Sequence, residues 1–212
     1  MLESSSAARF IVFEGGEASG KSTQAARLAQ AMGAVLTREP GGTPLGERIR
    51  GLLLDPAATD ISARSEALLM MAARAQHVQD VIAPALAAGR DVVCDRFSAS
   101  TLAYQGYGRG LDPGELARMS HWASAGLVPD LVILLVVPPS EAQGRLKARS
   151  ADRIESEGET FFERVSEGFV ALASSDPQRW RIVDGTGDPD EVELRVRLAA
   201  FEQSLGGGEL TD

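Results

Sequence analysis

Apolar residues along this 212-residue chain fall into five short runs separated by longer segments of helical spacing. Phe10–Phe13, Ala34–Thr37, Asp91–Asp95, Leu131–Val137 and Trp180–Val183 have strand length and little alternation, the pattern of parallel strands covered on both faces. Between them the apolar period lengthens to that of helices. The chain therefore reads as repeated βα units: an α/β fold with a five-stranded parallel sheet flanked by helices. Helix starts are marked chemically. Thr43 puts a capping hydroxyl before Pro44 at the first helical position, and Asp112-Pro113-Gly114-Glu115 has capping-box spacing. Ser62–Ala88 keeps helical spacing throughout, with Pro84 expected to kink it or mark a break. No repeat and no Pro/Gly/Ser linker divides the chain, so 1–212 reads as one domain. Residues 1–8 and the glycine-rich tail 205–212 have nothing to pack and are expected to be disordered.

Charge sharpens this picture at one place. Of 21 basic residues only Lys21 and Lys147 are lysines. Lys21 stands in Gly15-Gly16-Glu17-Ala18-Ser19-Gly20-Lys21-Ser22, followed by Thr23. In this G-x-x-x-x-G-K-S spacing glycines let backbone amides close around an anion, and a compact ammonium fits a turn that would not admit a planar guanidinium. An apolar run precedes it and helical spacing follows. Strand, loop and helix in that order make a phosphate-binding loop, so residues 15–23 are candidates to hold a nucleoside polyphosphate.

Asp95-Arg96 ends the third strand, where ligands of open α/β sheets bind. There Asp95 can hold a metal-bound water and Arg96 a phosphate; a surface ion pair is the plainer reading of the same dipeptide. Arg145, Lys147, Arg149 and Arg153 run into the mixed-charge stretch 152–159, which reads either as a solvated segment or as an arginine-bearing lid for phosphoryl transfer.

Other classes are excluded or disfavoured. A net charge of −9 argues against a nucleic-acid binder. No stretch approaches the roughly 20 apolar residues of a membrane span, and Met1–Arg9 has no apolar core for a secretory signal. The single cysteine, Cys94, cannot form an intramolecular disulfide and fits a cytoplasmic location. The chain has no asparagine, so a GTPase with an Asn-Lys-x-Asp guanine reader is excluded. His77 and His121 lack metal-spaced partners and read as structural; Trp122 and Trp180 read as packing residues.

Phe13-Glu14-Gly15 with its loop, the segments Thr37–Glu47 and Asp95–Gly106, the helix stretch Ala72–His77, and Asp152–Glu155 followed by Phe161–Arg164 together resemble bacterial thymidylate kinase. The resemblance extends from Phe10 to about Asp184. It implies a phosphate-loop nucleotide kinase fold with a lid at about 149–160, and ATP-dependent conversion of dTMP to dTDP with Mg²⁺. By position, Gly15–Ser22 would hold the ATP phosphates, with Lys21 on the transferring group and Ser22, Asp95 and Glu17 near the metal. Glu17 would also approach the acceptor sugar. Arg96 and Arg38 would bind the acceptor phosphate. Arg74 would read the thymine edge, with Ser100, Thr101 and Gln105 near the base and Tyr104 where a ribose 2′-hydroxyl would lie. Ala18 leaves the loop without an arginine, so the resemblance assigns that catalytic role to Arg153, with Arg149 toward the adenosine. Many relatives carry an aromatic residue where this chain has Met70, which either covers the base or belongs to the core. A homodimer is implied, with Arg48–Leu54 and Ser62–Ala88 as candidate surfaces. Against another nucleotide kinase stand the Arg38–Glu47 and Asp95–Gly106 segments; against a non-catalytic ATP-binding module stand Arg153 and the Asp95-Arg96 acceptor site.

Overall fold

The structure is a computed structural model that describes residues 7–146 and 152–201. The five expected strands are present, with ends shifted by one residue: β1 Phe10–Glu14, β2 Val35–Arg38, β3 Val92–Asp95, β4 Leu131–Val136 and β5 Trp180–Asp184. They form one parallel sheet in the order β2-β3-β1-β4-β5. β1 is buried throughout, whereas the edge strands β2 and β5 leave Leu36 and Ile182 exposed. Along β1, Ile11 and Phe13 face one core with helices α1 (Lys21–Met32) and α9 (Pro189–Phe201). Phe10 and Val12 face the other, against Val78, Ile82 and Phe97. This two-residue alternation lets an almost wholly apolar strand cement two layers at once.

The helix starts follow their sequence signals. Thr43 Oγ1 accepts from Gly46 N at 3.0 Å to open α2 (Pro44–Leu54), and Asp112 Oδ1 accepts from Glu115 N at 2.7 Å to open α6 (Pro113–Ala123). Each such cap contributes about 1 kcal/mol. The long run expected over 62–88 is built as α3 (Ala63–His77), a π-helical stretch Val78–Ile82 and α4 (Ala83–Ala87). The widened turn ends just before Pro84, with Ala83 N bonded to Val78 O; the ring has no N–H to continue the ordinary ladder. A second π-helical stretch, Leu102–Gly108, extends α5 (Ser98–Thr101) and packs on α8 (Glu159–Ser175). α7 covers Pro139–Leu146. One expectation is corrected: Trp122 is 83% exposed, because α6 buries Leu116, Ser120 and Ala123 and Trp122 falls outside that stripe. Trp180 does pack, on the cluster around Phe161 and Phe169.

Candidate active site

Register brings the site together. β1 and β2 flank β3, and Phe13 and Arg38 both lie opposite Asp95. The three loops that leave these strands at their carboxyl ends therefore share one cavity, of about 270 Å³.

The phosphate loop closes tightly under β4. Gly15 has a φ of 141°, and a Cβ there would stand 2.4 Å from Leu135 O, so no other residue fits. Lys21 is buried inside the turn, its Nζ donating to Gly16 O at 2.5 Å and Ser19 Oγ at 3.2 Å. Burial, then the neighbouring Arg96, lowers its pKa to about 8 against the pull of Glu17, Asp95 and Glu14. Arg145 braces the loop from α7, donating to Ala18 O at 3.1 Å and Gly185 O at 3.1 Å. Ser22 Oγ donates to Asp95 Oδ2 at 2.5 Å, while Asp95 Oδ1 is buried without a hydrogen-bond partner. Thr23 is exposed and does not line the cavity.

Arg96 adopts a left-handed backbone with φ 72°, a strain of about 1–3 kcal/mol for a non-glycine residue. Its guanidinium donates to Gly15 O (3.0 Å), Ser100 Oγ (3.1 Å), Glu17 Oε1 (2.7 Å) and Tyr104 Oη (3.1 Å). Burial works against its charge, but Glu17, Tyr104, Asp95 and Glu14 outweigh burial and raise its pKa. Tyr104 donates its hydroxyl to Glu17 Oε1 at 2.7 Å and packs its ring edge-on against Phe161 and Phe169. It is therefore both a core aromatic and a polar group of the cavity.

The turn that follows Arg96 is held by Glu14, to which no role was assigned from sequence. The first turn of α5 lacks a side-chain cap of its own. Glu14 Oε1 instead accepts from Phe97 N (3.0 Å) and Ser100 N (3.1 Å), and Oε2 from Ser100 Oγ (2.6 Å). Burial raises its pKa to about 7 against these donors.

Arg74 is 2% exposed and donates to Glu39 Oε2 (2.8 Å), Ser120 Oγ (2.8 Å) and Thr101 Oγ1 (3.0 Å). Glu39 also pairs with His77 Nδ1 at 3.0 Å, and His77 Nε2 meets Thr37 Oγ1 at 2.6 Å. The histidine is structural, as expected, in a chain of hydrogen bonds that orients Arg74. Met70 lines the cavity beside Arg74 and also packs on the cluster of Leu53 and Ala73. Arg38, paired with Glu47, and Arg50, whose guanidinium donates to Pro40 O at 3.0 Å, complete the wall. Arg50, placed from sequence only in the candidate dimer stretch Arg48–Leu54, lines the cavity; nothing in its helical spacing marks it as facing a site.

Arg153 is placed differently from the sequence expectation. It does not line the cavity; its guanidinium donates to Leu53 O at 2.8 Å and to Glu66 Oε2 at 2.5 Å. Arg149 lies outside the described residues.

Comparison with known proteins agrees with this geometry. A family model described as thymidylate kinase matches residues 13–196. The chain belongs to the thymidylate kinase family. It is 47% identical over 193 residues to the thymidylate kinase of Cutibacterium acnes, covering 89% of this chain and 94% of that one. To the thymidylate kinase of Pelotomaculum thermopropionicum it is 49% identical over 201 residues, covering 92% and 93%. A crystal structure of thymidylate kinase from Ehrlichia chaffeensis matches with a TM-score of 0.76 at 32% identity, over 91% of this chain and 98% of that one. The five-stranded parallel sheet with flanking helices is thus the fold of this family.

Proposed function

We infer that this chain is a phosphotransferase that moves the γ-phosphoryl group of ATP to dTMP, giving ADP and dTDP, a step of dTTP biosynthesis. The observation that carries it is one cavity in which a phosphate loop with a buried lysine faces an arginine-rich acceptor pocket. In this reading the loop amides and Lys21 bind the donor phosphates. Arg96, with Arg38, binds the acceptor phosphate; Arg74 reads the thymine edge and Met70 covers its face. Ser100, Thr101 and Gln105 close the base side. Tyr104 excludes a 2′-hydroxyl while Glu17 approaches the 3′-hydroxyl. An acceptor phosphate oxygen attacks the γ-phosphorus as the bond to the β–γ bridging oxygen breaks, and that electron pair leaves with ADP. Phosphate monoesters are largely dianionic at neutral pH, so the acceptor needs no general base. The chain supplies position and positive charge.

A Mg²⁺ ion suits the residues present. Among the described residues no group of three His, Cys, Asp or Glu could hold a metal alone, but Asp95 offers a buried, unpartnered oxygen beside Ser22. A hard cation that shares its shell with water and nucleotide phosphates needs little more than this pair, with Glu17 near. When bound, it would neutralise charge on the transferring phosphates. Lid closure would bring Arg153 off Glu66 toward the phosphoryl group, with Arg149 toward the adenosine.

We place the enzyme in the cytoplasm, in keeping with one buried free thiol, and as a homodimer. No helix of the described residues is long and apolar enough to cross a membrane. The test is a coupled ADP-release assay over dTMP, dUMP, AMP, GMP and thymidine. dTMP should give the highest kcat/KM; turnover of AMP or GMP above dTMP would overturn the assignment.

A further inference from the structure

The base side of the cavity rests on a carboxylate that the reaction above does not use. Glu66 on α3 is 1% exposed, and donors from the 102–109 stretch and from Arg153 converge on it. Gln105 Nε2 (2.8 Å) and Arg109 Nε (3.2 Å) reach Oε1; Arg109 Nη2 (3.2 Å) and Arg153 Nη2 (2.5 Å) reach Oε2. Arg109 is itself paired with Glu157. Burial opposes the charge on Glu66, but the hydrogen bonds from Arg109, Gln105 and Arg153 prevail and keep its pKa below the ordinary value.

An ionised carboxylate only accepts hydrogen bonds, and an amide has one donating and one accepting end. Gln105 must therefore turn its NH₂ to Glu66, because the flipped amide would set two oxygens against each other in a buried site. Its carbonyl oxygen is then what the side chain can offer the cavity it lines. Arg74, on the same wall, is a donor only, with one Nη2 hydrogen left after Thr101. The wall thus pairs a donor with an acceptor. A thymine or uracil edge, with O4 beside N3–H, is its complement; cytosine carries an amino group beside an unprotonated N3, the reverse.

We propose that Glu66 is a specificity-determining positioning residue: it locks the Gln105 amide with its oxygen toward the base and so selects thymine over cytosine. This rests on the reading of the cavity as a thymidylate site.

The measurement is kcat/KM for dTMP and for dCMP in wild type, Glu66→Gln, Gln105→Met and the double variant. A glutamine at 66 can donate or accept, so Gln105 gains its second orientation. The dTMP/dCMP ratio should then fall by about tenfold or more, the scale of one misoriented buried hydrogen bond, through a gain on dCMP. A merely structural role would lower both substrates together and leave the ratio unmoved. Gln105→Met removes the amide and should lower the ratio similarly, and adding Glu66→Gln should lower it no further. An unchanged ratio in Glu66→Gln overturns the proposal; if that variant does not fold, an unchanged ratio in Gln105→Met does so. Wild type that fails to prefer dTMP over AMP or GMP sinks the functional reading instead, so the two failures are distinguishable.

Discussion

Lys21 and Glu14 carry opposite electrostatic burdens at the two ends of one loop. With its pKa lowered to about 8 by burial and by Arg96, Lys21 is still largely protonated at pH 7, and bound phosphates would strengthen its charge. A preorganised donor of this kind typically contributes a factor of roughly 10²–10³ to turnover. Lys21→Met is expected to fold and to lose kcat on that scale; a variant with half the wild-type kcat would remove Lys21 from the mechanism. Glu14 is shifted upward, to about 7, so between pH 4.5 and 7 the folded chain keeps a proton that the unfolded chain has released. That contribution stabilises the fold at low pH and is lost as pH rises through 7. Glu14→Gln cannot ionise. Urea unfolding at pH 5 and pH 8 should show wild type losing roughly 2–3 kcal/mol relative to the variant. Parallel pH profiles would mean that Glu14 is ionised in the fold throughout.

Elements meet most closely where α8 crosses the π-helical stretch 102–108. A Cβ at Gly168 would stand 2.8 Å from the Tyr107 ring, and one at Gly108 would stand 2.5 Å from Phe161. Gly168→Ala gains about 1 kcal/mol of helix propensity but overpacks this contact at a cost of about 1–3 kcal/mol. A lowered melting temperature is expected, since the contact should outweigh propensity; a raised one would show that α8 can shift. The segment after α7 is anchored at Arg153 through Leu53 and Glu66. Were Arg153 to leave that anchor and meet the phosphoryl group, Arg153→Ala would lower kcat by on the order of 10²-fold with little change in the KM for dTMP. A loss confined to the dTMP KM would leave it as a tether of the acceptor side.

For the molecule as a whole, exposed apolar surface bears on assembly. α3 neighbours both α2 and α6, and these helices expose Leu52, Leu68 and Trp122. Exposed apolar residues on adjoining helices, a tryptophan among them, suit contact with a second copy of the chain. Light scattering should give twice the 22.4 kDa of one chain. In a Trp180→Phe background the emission of Trp122 should move to longer wavelength on dilution, as dissociation exposes the ring. A monomeric mass with fully solvated emission at every concentration would place Trp122 at no interface.

Strands, helix starts and the phosphate loop were legible from the residues because their determinants are local. Alternation along β1, a threonine before Pro44 and a lysine inside a glycine turn depend on neighbours a few positions away. That Arg38, Arg74, Arg96 and Tyr104 line one cavity also agrees with what the family resemblance of their segments implied. The partners that orient these groups were not legible. Glu14 reaches Ser100, Glu39 reaches Arg74 and Glu66 gathers Gln105, Arg109 and Arg153 across separations of 35 to 87 residues. Which carboxylate meets which donor depends on the order β2-β3-β1-β4-β5 and on the packing of α3 beside the 102–108 stretch. Charge and spacing describe a residue's own element. Only the folded chain decides what faces it from the next one, and there burial turns an ordinary glutamate into a cap, a counter-ion or a lock.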